Sequence, residues 1–249
     1  MPPELVLFLI ASATAVATGL GAIPVVLLGD RAGGWQPMTA GLTAGLMTAA
    51  AVIGLLLPAW RRGTPLDMLA GASAGVAFLL ASRALLGGRD VHVGRLRGAS
   101  VRRAVLVFGV LFLHSLQEGF AIGTAYAVDP GGLGVFIVLA IGLQNVPEGT
   151  SVAVPMLAGG LRPRAVIGAG VLTSVPQPVG ALMAYRLVEE IEALLPLSFA
   201  FAGAAMLALV VAELLPELGR EPRRAESWLG GLAGAAVMIL LAVALGPEL

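Results

Sequence analysis

Long apolar runs separated by short polar breaks dominate this sequence and limit what it can fold into. Breaking the chain at its charged, proline and glycine clusters leaves eight runs of about the 20 residues that a membrane-spanning helix needs. The runs cover about residues 4–28, 38–59, 67–86, 104–127, 131–158, 164–187, 196–217 and 228–246. Only 12% of the residues are charged, against roughly 25% in soluble domains. The sequence therefore predicts an integral membrane protein with eight transmembrane helices.

The runs favour helices over strands. They are continuous and rich in leucine and alanine, whereas the strands of a membrane barrel alternate apolar and polar residues. The longest polar gap, about residues 87–103, is too short to fold alone, so residues 1–249 are predicted to form a single all-α transmembrane domain. No basic segment precedes the first run, and we expect that run to be a retained span rather than a cleaved signal peptide.

The arginines predict the orientation of the chain. Twelve of the 15 basic residues, all of them arginine, follow the first, third, fifth and seventh runs, and only Arg61, Arg62 and Arg186 lie on the other side. Because cytoplasmic loops carry the excess of positive charge, both termini are predicted to be extracytoplasmic. The 87–103 loop, with a solvated His92, is predicted to be cytoplasmic. We expect a multi-pass protein of the cell membrane (plasma or inner membrane), with the lipid bilayer as its surroundings.

The remaining composition excludes several functions. The net charge is zero, so nucleic acid is not an expected partner. The chain has no cysteine, which excludes disulfides, thiolate ligands and cysteine nucleophiles.

Two polar motifs lie in the middle of apolar runs. Residues 114–119 read His-Ser-Leu-Gln-Glu-Gly and residues 144–149 read Gln-Asn-Val-Pro-Glu-Gly. Residues four apart stack on one face of a helix, which places His114 beside Glu118 and Gln144 beside Glu148. Because both motifs are central in their runs, the four side chains are predicted to meet near the bilayer midplane. Charged groups at that depth cost about 2.5–3.5 kcal/mol each on insertion, and they usually mark a function.

These four side chains have the chemistry of a metal site. An imidazole, an amide and two carboxylates offer mixed nitrogen and oxygen ligands that suit borderline divalent ions such as Zn²⁺. Met47, near the centre of the second run, could add a thioether. An alternative stays open, in which the polar residues only hydrogen-bond one another and hold two helices together.

With these motifs the chain resembles the ZIP (Zrt/Irt-like) divalent metal transporters, nearest to their bacterial ZupT/GufA-like branch. That family carries His-Asn-x-x-Glu-Gly in its fourth span. Its fifth span carries His or Gln, then Asn or Asp, any residue, and Pro-Glu-Gly. Residues 17–24 (Ala-Thr-Gly-Leu-Gly-Ala-Ile-Pro), 44–47 (Ala-Gly-Leu-Met) and 213–217 (Glu-Leu-Leu-Pro-Glu) are also similar, so the resemblance extends over nearly the whole chain.

The resemblance implies a fold and a transport function. The expected fold has a 3+2+3 arrangement of spans, in which the first and last three form an inverted repeat around a midplane metal site. The expected function is uptake of a divalent ion toward the cytoplasm by alternating access, without ATP, and it is not enzymatic. The implied ligands are His114, Glu118, Gln144 and Glu148, with Met47 near them. Zn²⁺ is the first expected substrate, with Fe²⁺, Mn²⁺, Co²⁺ and Cd²⁺ as alternatives, and a homodimer is expected by analogy only.

The chain departs from the family at a second metal site. Many members hold another ion beside the first, at positions that read Ser115, Asn145 and Gln177 here. These side chains are neutral, so we predict that one ion binds. Glu213, near the cytoplasmic end of the seventh run, is a candidate for the release pathway, and the alternative is that it simply reaches the lipid headgroups.

Two other classes of function remain as hypotheses. A membrane-embedded metal-dependent hydrolase would use the same histidine and glutamates, but the sequence has no His-Glu-x-x-His motif. A metal-binding relative that no longer transports ions would explain the altered second site.

Overall fold

The structure is a computed structural model that describes residues 1–87, 99–220 and 223–246. Within these ranges it describes the side chains except those of residues 30, 86–87, 99–107, 217 and 220. Most of the 87–103 loop, including His92, lies outside the described residues.

Every regular element in the described residues is helical, so the predicted all-α class is confirmed. The helices are α1 (Pro3–Leu28), α2 (Gln36–Ala49), α3 (Leu57–Arg62), α4 (Pro65–Gly87), α5 (Ala99–Val128), α6 (Leu133–Ala158), α7 (Pro163–Thr173), α8 (Pro176–Glu190), α9 (Leu195–Leu209), α10 (Leu215–Arg220) and α11 (Arg224–Leu245). Wider π-helical turns join α2 to α3 (Ala50–Leu56) and α9 to α10 (Val210–Leu214). Short 3₁₀ turns occupy Gly29–Gly34 and Glu192–Leu194.

Seven helical stretches in the described residues are long and apolar enough to cross a membrane. They are Pro3–Leu28, Gln36–Arg62, Pro65–Leu85, Leu133–Ala158, Pro163–Glu190, Glu192–Leu214 and Arg224–Leu245. The remaining long helix, α5, has 30 residues. It carries His114, Gln117 and Glu118 in its middle, and these side chains lower its mean hydropathy.

Prolines set where several helices begin and where one is interrupted. Proline occupies the first turn of α7 and α8, where its missing N–H would have no helical partner. The sequence predicts one helix over residues 164–187, but the structure has two, with Ser174 and Val175 between them. Pro176 cannot donate to the carbonyl of Leu172, which accepts instead from the N–H of Val175 at 3.3 Å. The sixth apolar run is therefore broken near its middle.

Glycines allow two helix pairs to approach closely at the level of the polar motifs. A Cβ on Gly149 of α6 would overlap the carbonyl oxygen of Thr18 on α1. A Cβ on Gly119 of α5 would overlap the carbonyl oxygen of Gln177 on α8. Each glycine directly follows the glutamate of its motif. The close contacts therefore hold α1 against α6, and α8 against α5, beside Glu148 and Glu118.

Gly149→Ala should destabilise the protein by about 1–3 kcal/mol, because the new methyl group has no space against the α1 backbone. Gly168→Ala on α7 is the matched control, since nothing lies within 4 Å of a Cβ at that position. The control should be neutral or stabilised by up to about 1 kcal/mol, as alanine favours helix more than glycine does. Thermal unfolding in detergent measures the stability of both variants. Equal changes in unfolding temperature would contradict the close approach of α6 to α1 at Gly149.

The turn between α5 and α6 is ordered by Asp129. Its carboxylate accepts the backbone N–H groups of Gly131 and Leu133, both at 3.1 Å. Backbone N–H donors, first that of Gly132 and then that of Leu133, hold the pKa of Asp129 below its usual value, and Arg62 adds to the effect. The ionised side chain thus lies at the start of α6, where a helix favours negative charge. This turn connects the two helices that carry the polar motifs.

Candidate metal site

Three buried side chains from α5 and α6 converge at the centre of the protein. His114 Nε2 lies 3.7 Å from Glu118 Oε1, as expected for residues four apart on one helix face. Glu148 approaches from α6, so that one candidate ligand atom from each of His114, Glu118 and Glu148 lies within 4.8 Å of the other two. This is a separation that one bound metal ion can bridge. Among the described residues, no other group of three histidine, aspartate or glutamate side chains has this geometry.

Gln144 joins this group from α6. Its Nε2 donates a hydrogen bond to Glu118 Oε1 at 2.5 Å, which leaves its Oε1 as the free end of the amide. The structure therefore brings together all four side chains that the two motifs predict to meet. His114, Glu118 and Gln144 are 1% exposed or less, and Glu148 is 3% exposed.

Several polar atoms in this group have no hydrogen-bond partner among the described residues. They are His114 Nε2, Gln144 Oε1 and both carboxylate oxygens of Glu148. Buried polar atoms are nearly always paired, and an unpaired buried carboxylate is especially costly. One imidazole nitrogen, one amide oxygen and carboxylate oxygens form a donor set that suits Zn²⁺. The residues present therefore fit a divalent cation.

The predicted second-site residues Asn145 and Gln177 lie next to this group. Gln177 Nε2 donates to Glu118 Oε2 at 3.0 Å, and Asn145 Nδ2 donates to Gln177 Oε1 at 3.3 Å. Asn145 Nδ2 also donates to the backbone carbonyl of Thr14 at 2.8 Å. Both oxygens of Glu118 therefore accept hydrogen bonds from amides, whereas Glu148 accepts none among the described residues.

The remaining predicted residues are Ser115, Met47 and Glu213. Ser115 is fully buried on α5, and Met47 is buried in the apolar core on α2. Glu213 lies in the π-helical turn after α9, where its carboxylate pairs with Arg83 Nε at 3.0 Å. Both members of that ion pair are more than a third exposed.

The structure adds two residues that the sequence interpretation did not include. Gln117 Oε1 lies 3.2 Å from His114 Nδ1, and Thr14 Oγ1 lies 3.4 Å from Gln177 Oε1. A signal for Gln117 was present, since it is a polar residue three positions after His114 in an apolar helix. Thr14 gives no such signal, because it lies among small residues on α1 and meets α8 only through the tertiary fold.

The sequence comparisons decide the family. Residues 89–242 match the family model of the ZIP zinc transporters. The chain belongs to the ZIP family. The predicted resemblance is thus confirmed, as is the prediction that the chain is a divalent metal transporter and not an enzyme. Together with the apolar helices, membership of this family makes the chain a multi-pass membrane protein.

Individual ZIP relatives support this assignment. The zinc transporter GufA of Myxococcus xanthus is 34% identical over 255 residues, covering 96% of this chain and 98% of GufA. The zinc transporter ZIPB of Bordetella bronchiseptica is 32% identical over 249 residues, covering 92% of this chain and 78% of ZIPB. A protein of Arabidopsis thaliana, provisionally named a zinc transporter, is 32% identical over 211 residues. This match covers 84% of the chain but only 34% of the plant protein.

Proposed function

We propose that this ZIP protein carries Zn²⁺ across the membrane toward the cytoplasm, and that one ion binds at His114, Glu118, Gln144 and Glu148. The observation that carries the proposal is the set of buried ligand atoms without hydrogen-bond partners among the described residues, which one cation would satisfy together. The two carboxylates would balance the charge of one divalent ion. Met47 is included as a residue whose thioether would lie near the ion, because α2 packs against α6.

Zinc is the proposed substrate on two grounds. GufA and ZIPB are named zinc transporters, and the donor set suits borderline ions. Fe²⁺, Mn²⁺, Co²⁺ and Cd²⁺ accept similar ligands, and availability often decides between such ions. They are therefore proposed as competitors of zinc at the same site.

The proposed architecture has eight spans, α5 being the additional one, in a 3+2+3 inverted repeat. Glycine contacts that recur at a constant spacing support it. A Cβ on Gly71 of α4 would overlap or crowd the backbone of Leu197 on α9, and one on Gly230 of α11 would do the same to Met38 on α2. Gly71 and Gly230, like Met38 and Leu197, differ by 159 positions. The two π-helical turns also fall at this spacing, since Ala51 and Val210 differ by 159 positions.

The glycine contacts beside the proposed metal site follow the same spacing, which supports a site where the two related halves of the protein meet. Gly149 meets the Thr18 carbonyl and Gly119 meets the Gln177 carbonyl, and Thr18 and Gln177 again differ by 159 positions. The two glycines differ by 30 positions, which relates α5 to α6. The same separation of 30 positions relates His114 to Gln144 and Glu118 to Glu148. Each of the two central spans, α5 and α6, would therefore supply two ligands.

Alternating access is proposed as a movement between two groups of helices. The first group contains α1, α5, α6, α7 and α8 and carries the site, and its contacts include α1 with α6 and α5 with α8. The second group contains α2 to α4 and α9 to α11, with close contacts of α2 with α11 and of α4 with α9. Sliding of the first group past the second would open the site to each side in turn. The extracytoplasmic termini and the homodimer stay predictions.

Purified protein in liposomes that enclose a zinc-sensitive dye should show saturable Zn²⁺ entry in the absence of ATP. Competition with Cd²⁺, Co²⁺, Mn²⁺ and Fe²⁺ would order these ions by affinity. Liposomes without protein provide the background. Zinc binding without entry would identify a non-transporting relative and contradict the proposed transport.

A further inference from the structure

Gln117 is a buried polar residue to which the proposed transport cycle gives no role. It lies on α5, is 1% exposed, and sits three positions after His114. Its amide oxygen lies 3.2 Å from His114 Nδ1. An amide in the apolar centre of a helix bundle is costly unless it is paired. The histidine is therefore the partner that makes this position favourable for glutamine.

The contact favours one of the two neutral forms of His114. An amide oxygen can only accept a hydrogen bond, so a hydrogen bond at this distance requires the proton of a neutral ring on Nδ1. The lone pair then lies on Nε2. This is the nitrogen that lies 3.7 Å from Glu118 Oε1 and has no hydrogen-bond partner among the described residues. The free lone pair therefore points into the group of ligand atoms.

The repeat gives an independent reason for a glutamine at this position in α5 only. The related residue in α6, 30 positions later, is Pro147, whose side chain has no polar atom. The ligand that Pro147 accompanies is Gln144, whose amide has no tautomers to select. His114 is the one proposed ligand whose neutral side chain has two tautomers. It is also the one with a hydrogen-bond acceptor, Gln117 Oε1, three positions later on its helix.

We propose that Gln117 is a positioning residue that holds His114 with its proton on Nδ1 and its Nε2 lone pair directed at the ion. The inference rests on the proposed function, in which His114 is a metal ligand. Hydrogen-bond partners of this kind orient ligating histidines, and their removal costs about 10–100-fold in metal affinity. Gln117→Leu should therefore weaken Zn²⁺ binding by about 10–100-fold.

The chain offers a direct spectroscopic test because it contains only two histidines, His92 and His114. In a His92→Gln background, ¹⁵N-histidine NMR of the metal-free protein reports His114 alone. We expect Nδ1 to be protonated and Nε2 to be bare. Gln117→Leu should move the proton toward Nε2, and Gln117→Glu should restore the original form, because a carboxylate oxygen accepts the same hydrogen bond. Gln36→Leu, at the start of α2, is the matched control.

The outcomes separate this inference from the proposed function. A proton on Nε2 in the unmodified protein, or an unchanged tautomer and zinc affinity in Gln117→Leu, would overturn the role of Gln117. If the leucine variant does not fold, the unmodified protein and Gln117→Glu still give the tautomer. If added Zn²⁺ leaves the His114 signals unchanged, the proposed metal site fails, while the metal-free spectra still report on Gln117.

Discussion

Glu148→Ala should reduce zinc uptake by more than about 100-fold, since removing a direct ligand should cost at least as much as losing a residue that only orients one. Both oxygens of Glu148 are buried without a hydrogen-bond partner among the described residues, so its proposed role is to bind the ion. The variant also removes one of the two carboxylates that balance the charge of the ion. His114→Ala and Glu118→Ala should have similar effects, although Glu118→Ala also breaks the contacts with Gln144 and Gln177.

Unfolding measurements distinguish a lost ligand from a lost fold. Zinc at 100 times its Kd should stabilise the unmodified protein by about 2.7 kcal/mol, and this gain should vanish in Glu148→Ala. Without zinc the variant should be at least as stable as the unmodified protein, because the substitution removes a buried unpaired carboxylate. Glu190→Ala, at the exposed end of α8, is the matched control and should retain uptake. Normal uptake by Glu148→Ala would exclude the proposed site.

Local sequence patterns were sufficient to predict the fold class, the family and the pairing of the motif residues. Apolar runs of this length predict helices whatever their neighbours, and the all-α class is confirmed. The contact between His114 and Glu118 follows from a spacing of four residues on one helix. The meeting of Glu148 with these two residues required only that α5 and α6 be adjacent, and a four-residue link between them makes adjacency natural.

Contacts between distant parts of the chain could not be predicted in this way. Gln177 lies 59 positions after Glu118, and only the packing of α8 against α5 brings its amide to the carboxylate. The interruption between α7 and α8 and the π-helical turns also depend on backbone hydrogen bonds that apolar patterns do not report. The position of Glu213 near the end of its run suggests a role in release, but its contact with Arg83, 130 positions earlier, depends on the packing of α4 against α9 and the turn that follows it.

A second prediction concerns the number of bound ions. The unmodified protein should bind one Zn²⁺, because two divalent ions side by side repel each other and need additional carboxylates to offset the repulsion. Gln177 occupies the place where such a charge would be needed, and it donates to Glu118 Oε2 through a neutral amide. Asn145 donates to the oxygen of that amide, which favours its present direction, and the Thr14 hydroxyl lies 3.4 Å from the same oxygen. The second oxygen of Glu118 is thus engaged by the protein itself.

Gln177→Glu should raise the stoichiometry from one zinc ion to two. The new carboxylate would face Glu118 at about the distance of the present 3.0 Å hydrogen bond, so the metal-free variant should be less stable, through repulsion of two buried negative charges. A second ion between these carboxylates would relieve the repulsion, with Asn145 Oδ1, which has no partner among the described residues, as an additional ligand. Zinc should therefore stabilise the variant more than it stabilises the unmodified protein.

Gln177→Leu separates the added charge from the lost hydrogen bond. It removes the donor to Glu118 without adding a carboxylate, so it should still bind one ion, with lower affinity. Calorimetric titration of the three proteins, with anomalous scattering from zinc-soaked crystals, measures the number of ions. Two fully occupied ions in the unmodified protein at low zinc concentration would refute the single-ion site. One ion in Gln177→Glu, with lower stability and no greater gain from zinc, would show that a carboxylate at position 177 is not enough to form a second site.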